Sequence, residues 1–178
     1  MKRSILVTVV LVALLAGASA QTLQPYAGMH TRQIKALSEQ QIADLRAGRG
    51  MAMALPAELN RYPGPLHVLE HAAALDLTPE QKEQLTRQVE AMQTAAIALG
   101  EHIIARESEL DAHFRSGAAD AGTIDRITSE IAALYGQLRA VHLRTHLATR
   151  ASLTEIQLAK YQTLRGYDAG GTDPVHKH

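Results

Sequence analysis

A proline-free run of apolar residues at helical spacing, opened by Leu77-Thr78-Pro79-Glu80-Gln81, constrains this chain more than any other feature. From Pro79 to about Arg115, Leu85, Val89, Met92, Ala96, Leu99, Ile103, Leu110 and Phe114 recur in steps of three and four, with Arg106 in the one polar slot. That is the seam of an amphipathic helix, close to a heptad. Thr78 is the expected N-cap, Pro79 suits the first helical position, and Gln81 completes a Thr-x-x-Gln capping box. At 1.5 Å per residue the rod spans about 55 Å. Such a stripe needs a partner. Thr123 to Ala151 supplies one, carrying Ile124, Ile127, Ile131, Leu134, Leu138, Val141 and Ala148 in the same alternation. Ser116 to Gly122 is short enough to force the two helices antiparallel, with Gly117 at the left-handed position and Thr123 as the returning cap.

The ends bound the compartment. Met1-Lys2-Arg3, an apolar run from Ile5 to Leu15 and Ala18-Ser19-Ala20 together read as a secretory signal peptide over 1–20, with Gln21 the first mature residue. The apolar run is short for a membrane span. Without Lys2 and Arg3, the 18 basic residues fall to 16 against 18 acidic ones. The mature chain is therefore near neutral, which argues against a nucleic-acid partner. With no cysteine, export brings neither disulfides nor thiolate chemistry.

An N-terminal arm is expected over 21–64. Gln21 to His30 shows no period and reads as a flexible lead-in, while Thr31 to Ala47 reads as helix, continuous or broken at Ser38. Ile34, Leu37, Ile42 and Leu45 form its apolar side, Ser38 and Gln41 a further capping box, and Gly48 and Gly50 its end. A short helix is expected within Met51 to Leu59, restarting at Pro56. Asn60-Arg61-Tyr62-Pro63-Gly64-Pro65 is the strongest breaker. Pro65 to about Leu75 then forms a short helix with Leu66, Leu69, Ala72 and Ala73 inward, and Glu155 to about Arg165 a last one, stopped by Gly166. The hairpin domain covers 65–167, and 168–178 is a polar tail expected to be disordered.

Leu153-Thr154-Glu155-Ile156-Gln157 repeats the opening pentad. Each copy has a local meaning: Thr caps, Gln reaches back to it, and Leu packs as a staple. Two copies bracketing a helical hairpin in a chain of this kind resemble the Spy/CpxP family of periplasmic proteins, on Leu77, Thr78, Gln81 and Leu153, Thr154, Gln157. The resemblance covers roughly 65–167. It implies a long hairpin dimerised into a curved cradle, acting as an ATP-independent chaperone for unfolded envelope proteins or as a stress- or metal-response accessory. The chain departs from the family's usual basic chaperone face, and Pro25 to Asn60 has no counterpart there.

Nine histidines invite a search for metal chemistry. His67 and His71, and likewise His142 and His146, sit four apart, so each pair would share one face of a helix and could hold zinc or another divalent ion. The ordinary alternative is solvent-facing or half-buried helix residues. His67-Val68-Leu69-Glu70-His71 also fits H-x-x-E-H, but no supporting carboxylate accompanies it. His176-Lys177-His178 is a weak chelate on the tail, and Met51 and Met53 read as packing residues. On the returning helix Arg139, His142, His146 and Arg150 fall within about 80° of one another, away from the Leu138–Val141–Ala148 seam. They read as a solvated face or as a cationic strip for transient contact with unfolded chains.

No nucleotide loop, nucleophile elbow or paired carboxylates stand out. The expectation is an all-α, exported, non-enzymatic helical hairpin without cofactor, forming a homodimer because two long helices alone leave much of their length uncovered. Its function is expected to be ATP-independent suppression of aggregation, with a histidine-based metal accessory as the alternative.

Overall fold

The computed structural model of the chain describes residues 24–168. The leader expected over 1–20 and the tail beyond 168, with His176 and His178, lie outside the described residues. Among those described there are helices and turns and no strand. None of these helices is long and apolar enough to cross a membrane.

Thr78 does what the pentad demands. Its hydroxyl accepts from the Gln81 N–H, Pro79 occupies the first turn, and the helix then runs unbroken over Pro79–Ser116, 38 residues. Gly117 ends it in the left-handed conformation, φ 72°, and its N–H returns to the His113 carbonyl. The returning helix, Ala121–Ala151, is capped by Asp120 and not by Thr123 as expected: the Asp120 carboxylate accepts from the Thr123 N–H. Asp outranks Thr at this position, and moving the cap from Thr123 to Asp120 lengthens the helix by most of a turn. In chain order the α-helices are α1 (Glu39–Arg46), α2 (Leu55–Glu58), α3 (Pro65–Glu70), α4 (Pro79–Ser116), α5 (Ala121–Ala151) and α6 (Glu155–Arg165). The hairpin of α4 and α5 is the frame on which the others lie.

Residues 32–62 form a strap laid across that frame. Ser38 and Gln41 make a reciprocal capping box that starts α1. Ile34, Leu37 and Leu45 are buried with Ala96, Ile103 and Ile104 of α4 and Leu138 of α5. Each such aliphatic side chain contributes about 1.5–3 kcal/mol by leaving water. The section from Pro25 to Asn60 thus supplies one wall of the main core. Close approach depends on Gly100, where a Cβ would stand 2.4 Å from the Leu45 carbonyl oxygen. A second core closes the open end of the hairpin, where Val68, Leu75, Leu77, Leu85 and Tyr161 pack together with Leu153 and Tyr167 at their edge.

Four inward expectations are corrected, beginning with Ala73, which lies beyond the end of α3 and is exposed. Phe114 is 60% exposed, because the chain turns back there and only two helices meet. Leu66 is 53% exposed while Val68 is fully buried: α3 is only 6 residues long, and the side facing the hairpin is that of Val68. Ala148 is exposed and Thr149 is buried in its place, a shift of one residue in the α5 seam.

Candidate functional site

The two pentads, far apart in sequence, meet. Each forms its own capping box: Thr78 N–H donates to Gln81 Oε1 at 3.1 Å, and Thr154 N–H to Gln157 Oε1 at 3.0 Å. Across the junction the glutamines pair reciprocally, Gln81 Nε2 donating to Gln157 Oε1 at 2.9 Å and Gln157 Nε2 to Gln81 Oε1 at 3.0 Å. Their remaining amide hydrogens reach the Ser152 and Leu75 carbonyls at 2.9 and 3.3 Å. Both donors and both acceptor lone pairs of each amide are thereby used. A glutamate could close either box but could not supply these donors. The motif residues Leu77, Thr78, Gln81, Leu153, Thr154 and Gln157 consequently form a knot that joins the start of α4 to the start of α6.

Beneath the strap lies the second constellation. Glu58, 6% exposed, ends α2 and gathers the chain around itself. Its Oε2 accepts from the Gly64 N–H at 2.9 Å, and its Oε1 accepts from the Tyr161 hydroxyl and, at 3.3 Å, from the Tyr167 hydroxyl. Arg165 Nε stands 3.8 Å from the same carboxylate. Burial first, then the bond to Glu58, hold the Tyr161 hydroxyl far above the usual phenol range. His146 Nδ1 donates to the Tyr62 carbonyl at 2.7 Å and lies 3.7 Å from Glu58. Arg150 donates to the Arg61 carbonyl at 3.1 Å and stacks on the Tyr62 ring, 5.2 Å from its centroid. The strap's end is therefore clasped by α5 and α6.

A cavity of about 520 Å³ remains between the strap and the hairpin, walled by Met51, Leu55, Val89 and Met92 and reached by His67, His142 and His146. His142 is 3% exposed and its Nε2 is buried without a hydrogen-bond partner. Burial, and secondarily the charge of His146, hold its pKa below the ordinary histidine value.

This geometry corrects the expected cationic strip. Arg139 is exposed, but His142 and His146 are buried and Arg150 is half-buried against Tyr62. The strap covers the face that a bare hairpin would leave in solvent. The histidine pairs divide as well. His67 is bonded to Glu70 at 3.1 Å, whereas His71 lies past the end of α3 and meets the Tyr161 ring edge-on. The helix stops before the two imidazoles can share a face. Among the described residues no three His, Asp or Glu side chains are grouped to hold a metal ion. Glu58, Tyr161 and Tyr167 were not foreseen from the sequence, since Glu58 and Tyr161 are 103 positions apart and no local pattern links them.

Comparison with known proteins adds one positive finding. The profile of a family described as LTXXQ motif family protein matches residues 66–165. No curated protein matches the chain, and no solved structure does.

Proposed function

Because the chain belongs to the LTXXQ motif family, which contains the Spy/CpxP-like periplasmic proteins and is helical and non-enzymatic, we propose that it is a periplasmic, ATP-independent chaperone acting as a homodimer on unfolded envelope proteins. The observation that carries this reading is an uncovered apolar patch beside one held cation. Leu59 and Leu147 are 53 and 57% exposed. A shallow depression lined by Pro56, Ala57, Tyr62, Leu143 and Leu147 adjoins them, with Arg150 held over Tyr62. Broad, shallow surface of this kind suits unfolded chains, whose ordering cost opposes tight docking. An exported protein has no ATP pool to draw on, and this reading requires none.

The decisive assay dilutes a denatured client into equimolar mature protein without nucleotide and follows light scattering. Suppression is expected across several clients and is expected to weaken in a Leu59→Asp, Leu147→Asp protein. Aggregation equal to that with an inert helical control rejects the chaperone. Static light scattering at micromolar concentration tests the dimer, and a monomer removes the cradle. The alternative, a metal-responsive accessory, draws on His67, His142 and His146 standing around one cavity. It requires the strap to move, and a zinc-induced rise in melting temperature that disappears in His142→Ala, His146→Ala would favour it.

A further inference from the structure

The cavity under the strap has features that packing alone does not account for. Met51 and Ala52, neither of them glycine, both hold positive φ, 42° and 58°, where the strap passes over it. Two consecutive side-chain-bearing residues in that region are unfavourable and persist only where the surrounding structure imposes them. The space beside them is about 520 Å³, within the range of small-molecule sites.

The lining of that space is sorted by chemistry. Its walls are Met51, Leu55, Leu66, Val89 and Met92, with two flexible thioethers able to adjust to a guest. Its polar lining holds Arg49, Arg165 and three imidazoles; Arg165 stands 3.8 Å from the single carboxylate, Glu58, and bonds the Tyr167 hydroxyl, which leaves Arg49 as the available guanidinium. That carboxylate is already occupied by the Gly64 N–H and the two tyrosine hydroxyls. Arg49 is bonded to Asp44 at 2.6 Å, yet most of its side chain stays exposed, so it retains free donors. Charge complementarity therefore selects an anionic head, and the Met-Leu-Val walls select an apolar tail.

We propose that this cavity is a binding site for an anionic amphiphile: a single acyl chain carrying a carboxylate or phosphate head. The tail lies between Met51 and Met92, and the head faces the Arg49 guanidinium group. This site is separate from the exposed patch assigned to clients, and its occupancy does not depend on the chaperone reading. Free fatty acids and lysophospholipids share the required chemistry.

The test uses the full mature chain and dodecanoate below its critical micelle concentration, with dodecanol and acetate as tail-only and head-only probes. Isothermal titration is expected to give one site per chain, with dodecanoate at least tenfold tighter than dodecanol and acetate silent. Dodecanoate should raise the melting temperature, because it binds the native state alone. A lysophosphatidylglycerol arm assigns the source: binding of both amphiphiles supports the shared head chemistry, and binding of dodecanoate alone narrows it to free carboxylates. Met92→Trp fills the cavity and should abolish binding with helical dichroism unchanged. Leu55→Trp, at a half-exposed strap position, does the same should the α4 variant fold poorly. Equal affinity for dodecanol, unaltered binding in both tryptophan variants, or no binding to the wild-type chain each overturns the proposal.

Discussion

Replacing Gln81 by glutamate separates two accounts of the repeated pentad. If the motif were only a helix cap, Gln81→Glu would be neutral or slightly stabilising. Glutamate closes a capping box as well as glutamine does, and a carboxylate in the first turn of α4 favours the helix dipole. The observed knot gives the opposite sign. The substitution keeps the bond from Thr78 N–H but removes the Nε2 donations to Ser152 and Gln157, both at 2.9 Å. Two part-buried hydrogen bonds are worth about 1 kcal/mol each, and the carbonyl oxygens left facing a carboxylate add a desolvation cost of about the same size. The expected loss is about 2–4 kcal/mol, against about 1 kcal/mol for Thr78→Ala, which removes only a cap.

The same reasoning fixes a pH signature. Protonation returns one donor to the introduced carboxylate, so the fold would favour the protonated acid and raise its pKa above the unfolded value. The variant's deficit should then be smallest below about pH 4 and widen as pH rises through the raised value. Urea unfolding followed by far-UV dichroism at pH 4 and pH 7.5 measures both quantities. The Gln81→Ala, Gln157→Ala cycle should show coupling of about 1–2 kcal/mol. A Gln81→Glu protein as stable as the wild type at pH 7.5, or alanine effects additive within about 0.5 kcal/mol, would refute the knot.

Two further outcomes follow from buried positions. His142 is held neutral below its ordinary 6.5, so the unfolded chain takes its proton first. The wild type should lose stability as pH falls from about 6.5 toward the lowered folded value, and the urea midpoint of His142→Leu should fall less over pH 7.5 to 5. Gly100→Ala should destabilise by about 1–3 kcal/mol, because the new Cβ meets the Leu45 carbonyl at 2.4 Å. Gly136→Ala, with no atom within 4 Å of its Cβ, should stabilise by about 0.5–1 kcal/mol through helix propensity alone, as thermal melts would show.

The hairpin was legible because its information is local. A Thr-x-x-Gln box, a proline at the first turn and a glycine past the end act within a few residues, and each stood where the sequence placed it. The strap's contribution was legible only in half. Ile34, Leu37 and Leu45 announced an apolar face, but what they would cover depends on Gly100, a residue that in isolation only weakens α4. The clasp was not legible at all. Glu58 looks like an ordinary polar residue on a short helix, and its partners Tyr161 and Tyr167 lie at the far end of the chain.

The α5 seam shows how the hidden part could have been found. Ile127, Ile131 and Leu138 are buried, and the next buried positions are His142, His146 and Thr149. Following apolarity led to Val141 and Ala148, which keep the heptad, whereas following phase leads from Leu138 to Thr149 in one 11-residue step. On α4 the buried Leu85 and Ala96 are spaced the same way. Eleven residues make three turns at about 3.67 residues each, so the buried stripe leaves the heptad repeat at this end. The polar character of His142, His146 and Thr149 then has a physical cause. What covers α5 here is irregular backbone with unpaired carbonyls at Arg61 and Tyr62, and these need donors that leucine cannot supply. His146 and Arg150 provide them, while Thr149 bonds Gln88 on α4 at 3.2 Å. Of these, His142 is left with its Nε2 unpartnered. Of the polar residues in phase with the buried stripe, His146 is thus the one that marks coil lying against α5.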